Sequence, residues 1–533
     1  MKMVFALLLS LLIAGPVQAG SLDALQELPI QDGGRVKPFD TFARESLQLI
    51  WGKAKYNDKQ AAEVVFTWYL IPEHWDAKEI IQTRRRALKE ALKLPVERTY
   101  FSPKELFSNE RLPLLLQDLN NRLEAKEKLD PYLQDVQRLQ NQLGLYRAIT
   151  AGQAVRLIPP KEGQNWLSIP ESTPEWKERF AKVTAAFAQA LNNPSDEGLK
   201  TEIASFVDAA RAENPPLYPE MSRIKTEVHF NKFHPFMWSW IAYLVCLLFL
   251  GWAMIGGSQL GYKLSWAAIS VGYLLHIYGF VLRCYLAGRP PVSNMYESVI
   301  WVSFGAVTFG MIFEALKPKK VALFGAAFVG VLCLLVADFS PNILDPSIQP
   351  LEPVLRSNLW LTIHVMTITL SYSAYFLALL MGDVGLLMYL RGQTAKGDDV
   401  AEAAYRVVQV GVVLLAAGTI LGGVWADYSW GRFWGWDPKE TWALIALLGY
   451  LAVLHAKKAG MVRNFGFLAG CIVSFSLVLM AWYGVNFVLG VGLHSYGFGG
   501  GGVPYVASFI AVHFIYVAFA ATVHRQRGNF APR

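Results

Sequence analysis

Apolar residues follow two different patterns along the chain, and the patterns meet near Pro235. Before it, Leu, Phe and Ala recur at three- and four-residue spacings between charges, as in Asn109–Asn121, Pro131–Thr150 and Pro174–Leu191. That period predicts amphipathic helices, with breaks at Pro159-Pro160 and Pro215-Pro216. Beyond it, apolar runs long enough to cross a bilayer follow one another. They predict nine membrane helices near 236–255, 263–286, 298–316, 320–338, 359–390, 403–424, 440–457, 464–489 and 504–523. The expected fold is all-α: a polytopic membrane helix bundle (236–533) preceded by a helical extracytoplasmic domain (20–235). Residues 1–19 read as a signal peptide, with Lys2, the short apolar core FALLLSLLIAG and Val17-Gln18-Ala19 before Gly20.

Composition agrees. Of 533 residues, 53% are hydrophobic and 17% charged, which excludes an ordinary soluble enzyme and a disordered chain. Residues 20–235 hold thirty basic and thirty acidic side chains, so the whole excess of +7 lies in the remainder. Predicted cytoplasmic loops carry twelve Lys or Arg (263, 317, 319, 320, 391, 396, 457, 458, 463, 525, 527 and 533) against five at the opposite face (Arg283, Arg289, Arg356, Arg432 and Lys439). The basic excess therefore reads as a positive-inside signal rather than a nucleic-acid surface. It places the C-terminus in the cytoplasm. All four cysteines, Cys246, Cys284, Cys333 and Cys471, fall in predicted spans, and the chain has no CxxC. A thiol–disulfide oxidoreductase and a c-type cytochrome are excluded. The 20–235 domain shows no nucleophile–base constellation and reads as a docking module.

Candidate chemistry gathers between the sixth and seventh spans. Residues 425–442, WADYSWGRFWGWDPKETW, hold five tryptophans in eighteen positions. An interfacial belt needs scattered rings, whereas Gly431 and Gly435 here allow the backbone to bend into a flat aromatic slot. A flat apolar macrocycle such as haem suits that slot, and histidine is its usual iron ligand. The expected topology brings His364 and His494 to the same face as the tryptophans. Arg432, Lys439 and Arg356 are candidate partners for the haem carboxylates. His455 lies nineteen residues past Trp436, roughly 28 Å along a helix, and belongs to the other face. It either ligates a second haem or snorkels beside Lys457 and Lys458. His276 and His513 are intramembrane ionisable residues, for which an interhelical hydrogen bond is an equal explanation. Arg283 and GRPPVSNMYES (288–298) predict a rigid capped corner at the tryptophan face.

The segment WGRFWGWDPKETW (430–442) resembles the tryptophan-rich WWD signature of haem-handling proteins, and the chain is most similar to the CcsA/ResC family of System II cytochrome c synthases. The similarity extends to residues 288–298, to Trp360-Leu-Thr-Ile-His364 and to Gly492-Leu-His494-Ser-Tyr-Gly-Phe498. It implies a WWD surface for haem b at Trp430, Arg432, Trp434, Trp436, Asp437 and Trp442, with His364 and His494 as axial ligands. His455 matches the family's membrane haem ligand, with His276 a weaker candidate. The implied partners are a CcsB/ResB-like membrane protein, apocytochrome c and the bilayer of the bacterial cytoplasmic membrane. The implied reaction is addition of CxxCH thiols to the haem vinyls. Three alternatives stand beside it: a System I-like haem relay, a haem-free scaffold or transporter with an interfacial tryptophan loop, and a membrane oxidoreductase.

Overall fold

The computed structural model describes residues 22–127, 129–193, 197–351, 355, 357–490 and 501–527. The expected signal peptide, Arg356 and His494 lie outside them. The chain divides into two units, Met1–Phe233 and His234–Arg533.

The first unit is built from short helices around Phe39, Phe66, Trp68, Tyr146 and Trp166, all buried. The amphipathic segments fold as expected, into Leu112–Glu124, Pro131–Thr150 and Pro174–Asn192. Local chemistry starts them: Pro131 occupies the first helical position, and the Asp130 carboxylate accepts from the Leu133 N–H at 2.8 Å. Three two-stranded antiparallel ladders, absent from the sequence reading, complete the unit: Pro29–Asp32 with Arg35–Pro38, Ile81–Gln82 with Tyr100–Phe101, and Arg156–Ile158 with Leu167–Ser168. Strands of two to four residues are too short for alternation to show in a sequence. Helix Met221–Phe233 is fastened to this unit by Glu227, which accepts from Arg35 at 2.7 and 2.9 Å and from Thr41 Oγ1 at 2.8 Å.

Among the described residues, the second unit holds nine long helices: α1 Pro235–Ile255, α2 Gln259–Ala287, α3 Met295–Leu316, α4 Val321–Phe339, α5 Asn358–Leu390, α6 Thr394–Trp430, α7 Pro438–Lys458, α8 Asn464–Leu489 and α9 Val503–Gln526. Among the described residues, eight are long and apolar enough to cross a membrane, and the chain is a multi-pass membrane protein. The shortfall of one against nine is α7, which forms where expected but carries Lys439, Glu440, His455, Lys457 and Lys458 at its ends. Helix α5 is the hub, packing against α3, α4, α6, α8 and α9. Small residues allow close approach in the bundle: a Cβ on Gly310 of α3 would sit 2.2 Å from that of Ala326 on α4.

Two departures from regular α-winding shape the site. Leu361–Val365 of α5 and Met480–Leu489 of α8 are π-helical. Such i→i+5 turns are rare and cluster at functional positions. Helix α6 also runs further than expected, so Trp425 to Trp430 are helical and the loop is only Gly431–Asp437. Gly431 ends α6 in the left-handed region at φ +68°, where a side chain would be strained.

Candidate functional site

The α6–α7 loop is held from the α7 end. Asp437 caps α7 with Pro438 at the first helical position, and Glu440 reaches back to the N–H groups of Gly435 at 2.8 Å and Asp437 at 3.2 Å. This capping box satisfies donors that the helix start would otherwise orphan. Asp437 and Glu440 therefore shape the loop. Trp434 and Trp436 meet edge-on, with centroids 5.8 Å apart at 90°. Gly435 leaves room for the Arg432 guanidinium, which an added Cβ would strike.

Beside the loop, α5, α6, α8 and the α2–α3 corner enclose an open-mouthed cleft of about 1130 Å³, counting its solvent-filled part. His364, Trp425, Trp430, Trp434, Lys439 and Trp482 are among its lining residues. The mostly apolar, tryptophan-rich lining suits a flat ligand.

His364 stands on the π-turn of α5. Its Nδ1 lies 2.8 Å from the carbonyl oxygen of Gly418 on α6, and its ring is 5.6 Å from Trp425. Trp360 stacks on Trp425 at 6.3 Å and 12°. The ring needs the bareness of Gly422, where a Cβ would come within 2.7 Å of the imidazole. Across the cleft, the Lys439 ammonium donates to the carbonyls of Ala481 at 3.2 Å and Trp482 at 3.4 Å, both in the π-segment of α8. Asn486 of the same segment lines the cleft, with its Oδ1 buried and lacking a hydrogen-bond partner.

The α2–α3 corner forms another wall through Val292, Ser293, Asn294, Met295 and Ser298. It is pinned by a buried pair, Arg283 to Glu297 at 2.8 Å, with side chains 1% and 0% exposed. Arg283 also donates to Pro346 O at 2.9 Å, and Glu297 accepts from Ser293 N–H at 2.8 Å and Ser293 Oγ at 2.6 Å. These extra bonds offset the cost of removing both charges from water.

The structure thus gathers His364, Trp430 and Trp434 around one cavity. Trp436 is 70% exposed. Arg432, Trp436, Asp437 and Trp442 are not among the lining residues. His455 is exposed at the far end of α7, its Nδ1 bonded to Leu451 O at 2.7 Å. His276 is fully buried between Tyr243 OH and Ile300 O, each 3.2 Å from a ring nitrogen, which is the interhelical hydrogen bonding weighed for it. Trp482, Tyr372 and Asn486 were missed, since a tryptophan or tyrosine in an apolar span reads as core.

The family described as cytochrome C assembly protein matches residues 292–494, which contain the cleft. Over 291 residues the chain is 32% identical to cytochrome c biogenesis protein CcsA of Parasynechococcus marenigrum, covering 48% of this chain and 94% of that one. It is 28% identical to Protein NrfI of Wolinella succinogenes over 497 residues, 87% of this chain, and spans about half (53%) of that longer protein. The cytochrome c haem lyase CcmF superposes with a TM-score of 0.38 at 15% identity, over 55% of this chain and 50% of that one. With nearly the whole of a CcsA protein matched, and the match lying over the tryptophan cleft, the chain belongs to the CcsA family of cytochrome c biogenesis proteins.

Proposed function

We propose that the chain serves cytochrome c biogenesis by holding haem b in the cleft and presenting it to apocytochrome c. The observation that carries this reading is His364, a half-buried imidazole on the wall of a tryptophan-lined slot, with its Nδ1–H given to Gly418 O. That bond fixes the tautomer that keeps the basic lone pair on Nε2, the form a haem iron takes. The rest of the cleft fits the same group. Trp430 and Trp434 offer apolar faces, Lys439 an ammonium for a propionate, and Asn486 a buried Oδ1 without a protein partner.

In this reading His494 supplies the second axial ligand, Trp436 and Arg432 complete the surface from outside the cleft, and His455 serves a second haem at the opposite face. The cleft faces away from the cytoplasm, across the bacterial cytoplasmic membrane. The chain is then the A component of a holocytochrome c synthase and works with a CcsB/ResB-like partner. Attachment adds each cysteine S–H across a vinyl C=C, giving a thioether with no net redox change. The protein's share is to bind, orient and shield the haem.

The test is the reduced visible spectrum of detergent-purified protein, alone and with its B partner. Wild type should show Soret and α bands that disappear in the His364→Ala, His494→Ala double variant, apart from any band owed to His455. Absence of haem from every preparation, with cytochrome c maturation intact in His364→Ala, would overturn the proposal.

A further inference from the structure

Trp482 joins three walls of the cleft. Its indole N–H donates to Ser298 Oγ at 2.9 Å, in the first turn of α3, and Ser298 donates onward to Met295 O at 2.8 Å. Its main-chain carbonyl accepts from the Lys439 ammonium at 3.4 Å, which ties it to the first turn of α7. Its ring lies 5.9 Å from that of Tyr372 on α5, at 36°. Trp482 is 8% exposed, and all five residues line the cleft.

Both ends of this tie are anchored. Ser298 follows Glu297, which Arg283 locks in place, and Lys439 precedes Glu440, which holds the backbone of Gly435 and Asp437. The bonds therefore run from the α3 corner through Trp482 to the base of the tryptophan loop. An indole has one donor and no acceptor, so its bond to Ser298 cannot be replaced without turning the ring. A carbonyl has two lone pairs, so in the π-segment those of Ala481 and Trp482 can take the ammonium as well as a helical N–H.

We propose that Trp482 is a positioning residue. It fixes the separation between the α3 corner and the tryptophan loop, and so the seating of the flat ligand against His364; the second clause rests on the haem reading above. The tie itself can be measured without any ligand.

The experiment is hydrogen–deuterium exchange on the full-length protein in detergent, for wild type, Trp482→Phe, Ser298→Ala and the double variant. Trp482→Phe keeps an aromatic ring but removes the donor together with part of the ring system, whereas Ser298→Ala keeps the whole indole and removes only its acceptor. Ser298→Ala should speed exchange in both 292–298 and 435–441 about five- to tenfold, the effect of one lost hydrogen bond, and Trp482→Phe at least as much, with α1 and α2 unchanged. The double variant should be no faster than Trp482→Phe alone, because that change has already broken the bond that Ser298→Ala removes. In the same samples, the α band of added reduced haem should shift and free imidazole should displace it more readily. Unchanged exchange, or effects that add, would overturn the tie. Faster exchange with identical haem spectra would overturn the seating of the ligand. A wild type that binds no haem would defeat the haem reading and the seating clause with it, while exchange would still decide the tie.

Discussion

His364 and Gly418 are joined across α5 and α6, with the ring Nδ1 2.8 Å from the glycine carbonyl oxygen. A carbonyl only accepts, so the neutral ring carries its proton on Nδ1 and its basic lone pair on Nε2. His364→Ala should remove most cleft-bound haem from the purified protein, and millimolar imidazole should restore part of the Soret band. If the variant keeps the full wild-type band without imidazole, His364 is not the ligand.

Gly422 tests the same ring from behind. In Gly422→Ala the new methyl would meet the imidazole at 2.7 Å, and overpacking of this kind costs about 1–3 kcal/mol. The expected result is weaker haem retention with only a modest loss of thermal stability, read by absorbance and by fluorescence-detected size-exclusion melting. Unaltered retention would mean that the ring position does not govern binding.

Breaking the α2–α3 corner should act on the whole bundle. Arg283→Ala leaves Glu297 charged and buried without its cation, and such losses cost about 3–5 kcal/mol. Full-length protein in membranes should fall sharply, whereas the Arg283→Met, Glu297→Gln double variant, which leaves neither charge buried without its partner, should fall less. Immunoblots of membrane fractions separate the two, and equal accumulation would contradict the account.

In the first unit, Glu227→Ala should loosen helix Met221–Phe233 at a cost of about 2 kcal/mol, the scale for hydrogen bonds to a charged group. Protease cleavage within 221–233 should accelerate in the full-length variant. A cleavage rate equal to wild type would show that Arg35 and Thr41 do not hold this helix.

The membrane helices were legible because an apolar run of twenty residues has few other uses; eight of the nine begin and end within four residues of expectation. Helix α6 runs further, and its surplus is what makes Trp425 a wall of the cleft instead of part of a loop. The π-turns were not legible. They change which residue faces the cleft without changing composition, and tertiary packing decides them. Hence Trp482 and Asn486 passed as ordinary span residues, while Asp437, picked out beside the tryptophans, turned out to cap α7. His364 was legible for a simpler reason: a histidine at a helix mouth beside many tryptophans is chemically conspicuous.

The hub is the fifth helix to be made. A chain synthesised from its N-terminus releases α1 to α4 before the element on which α3 and α4 rest exists. Those four already have one another, since α1 packs on α2 and α4, and α3 on α4. They can wait in the bilayer as a provisional quartet. The arrival of α5 then offers a seat to α6 and α8, and α9 docks last against α5 and α8. The cleft needs the α3 corner from the early group and α6, α7 and α8 from the late one, so it cannot be complete until α8 has been made.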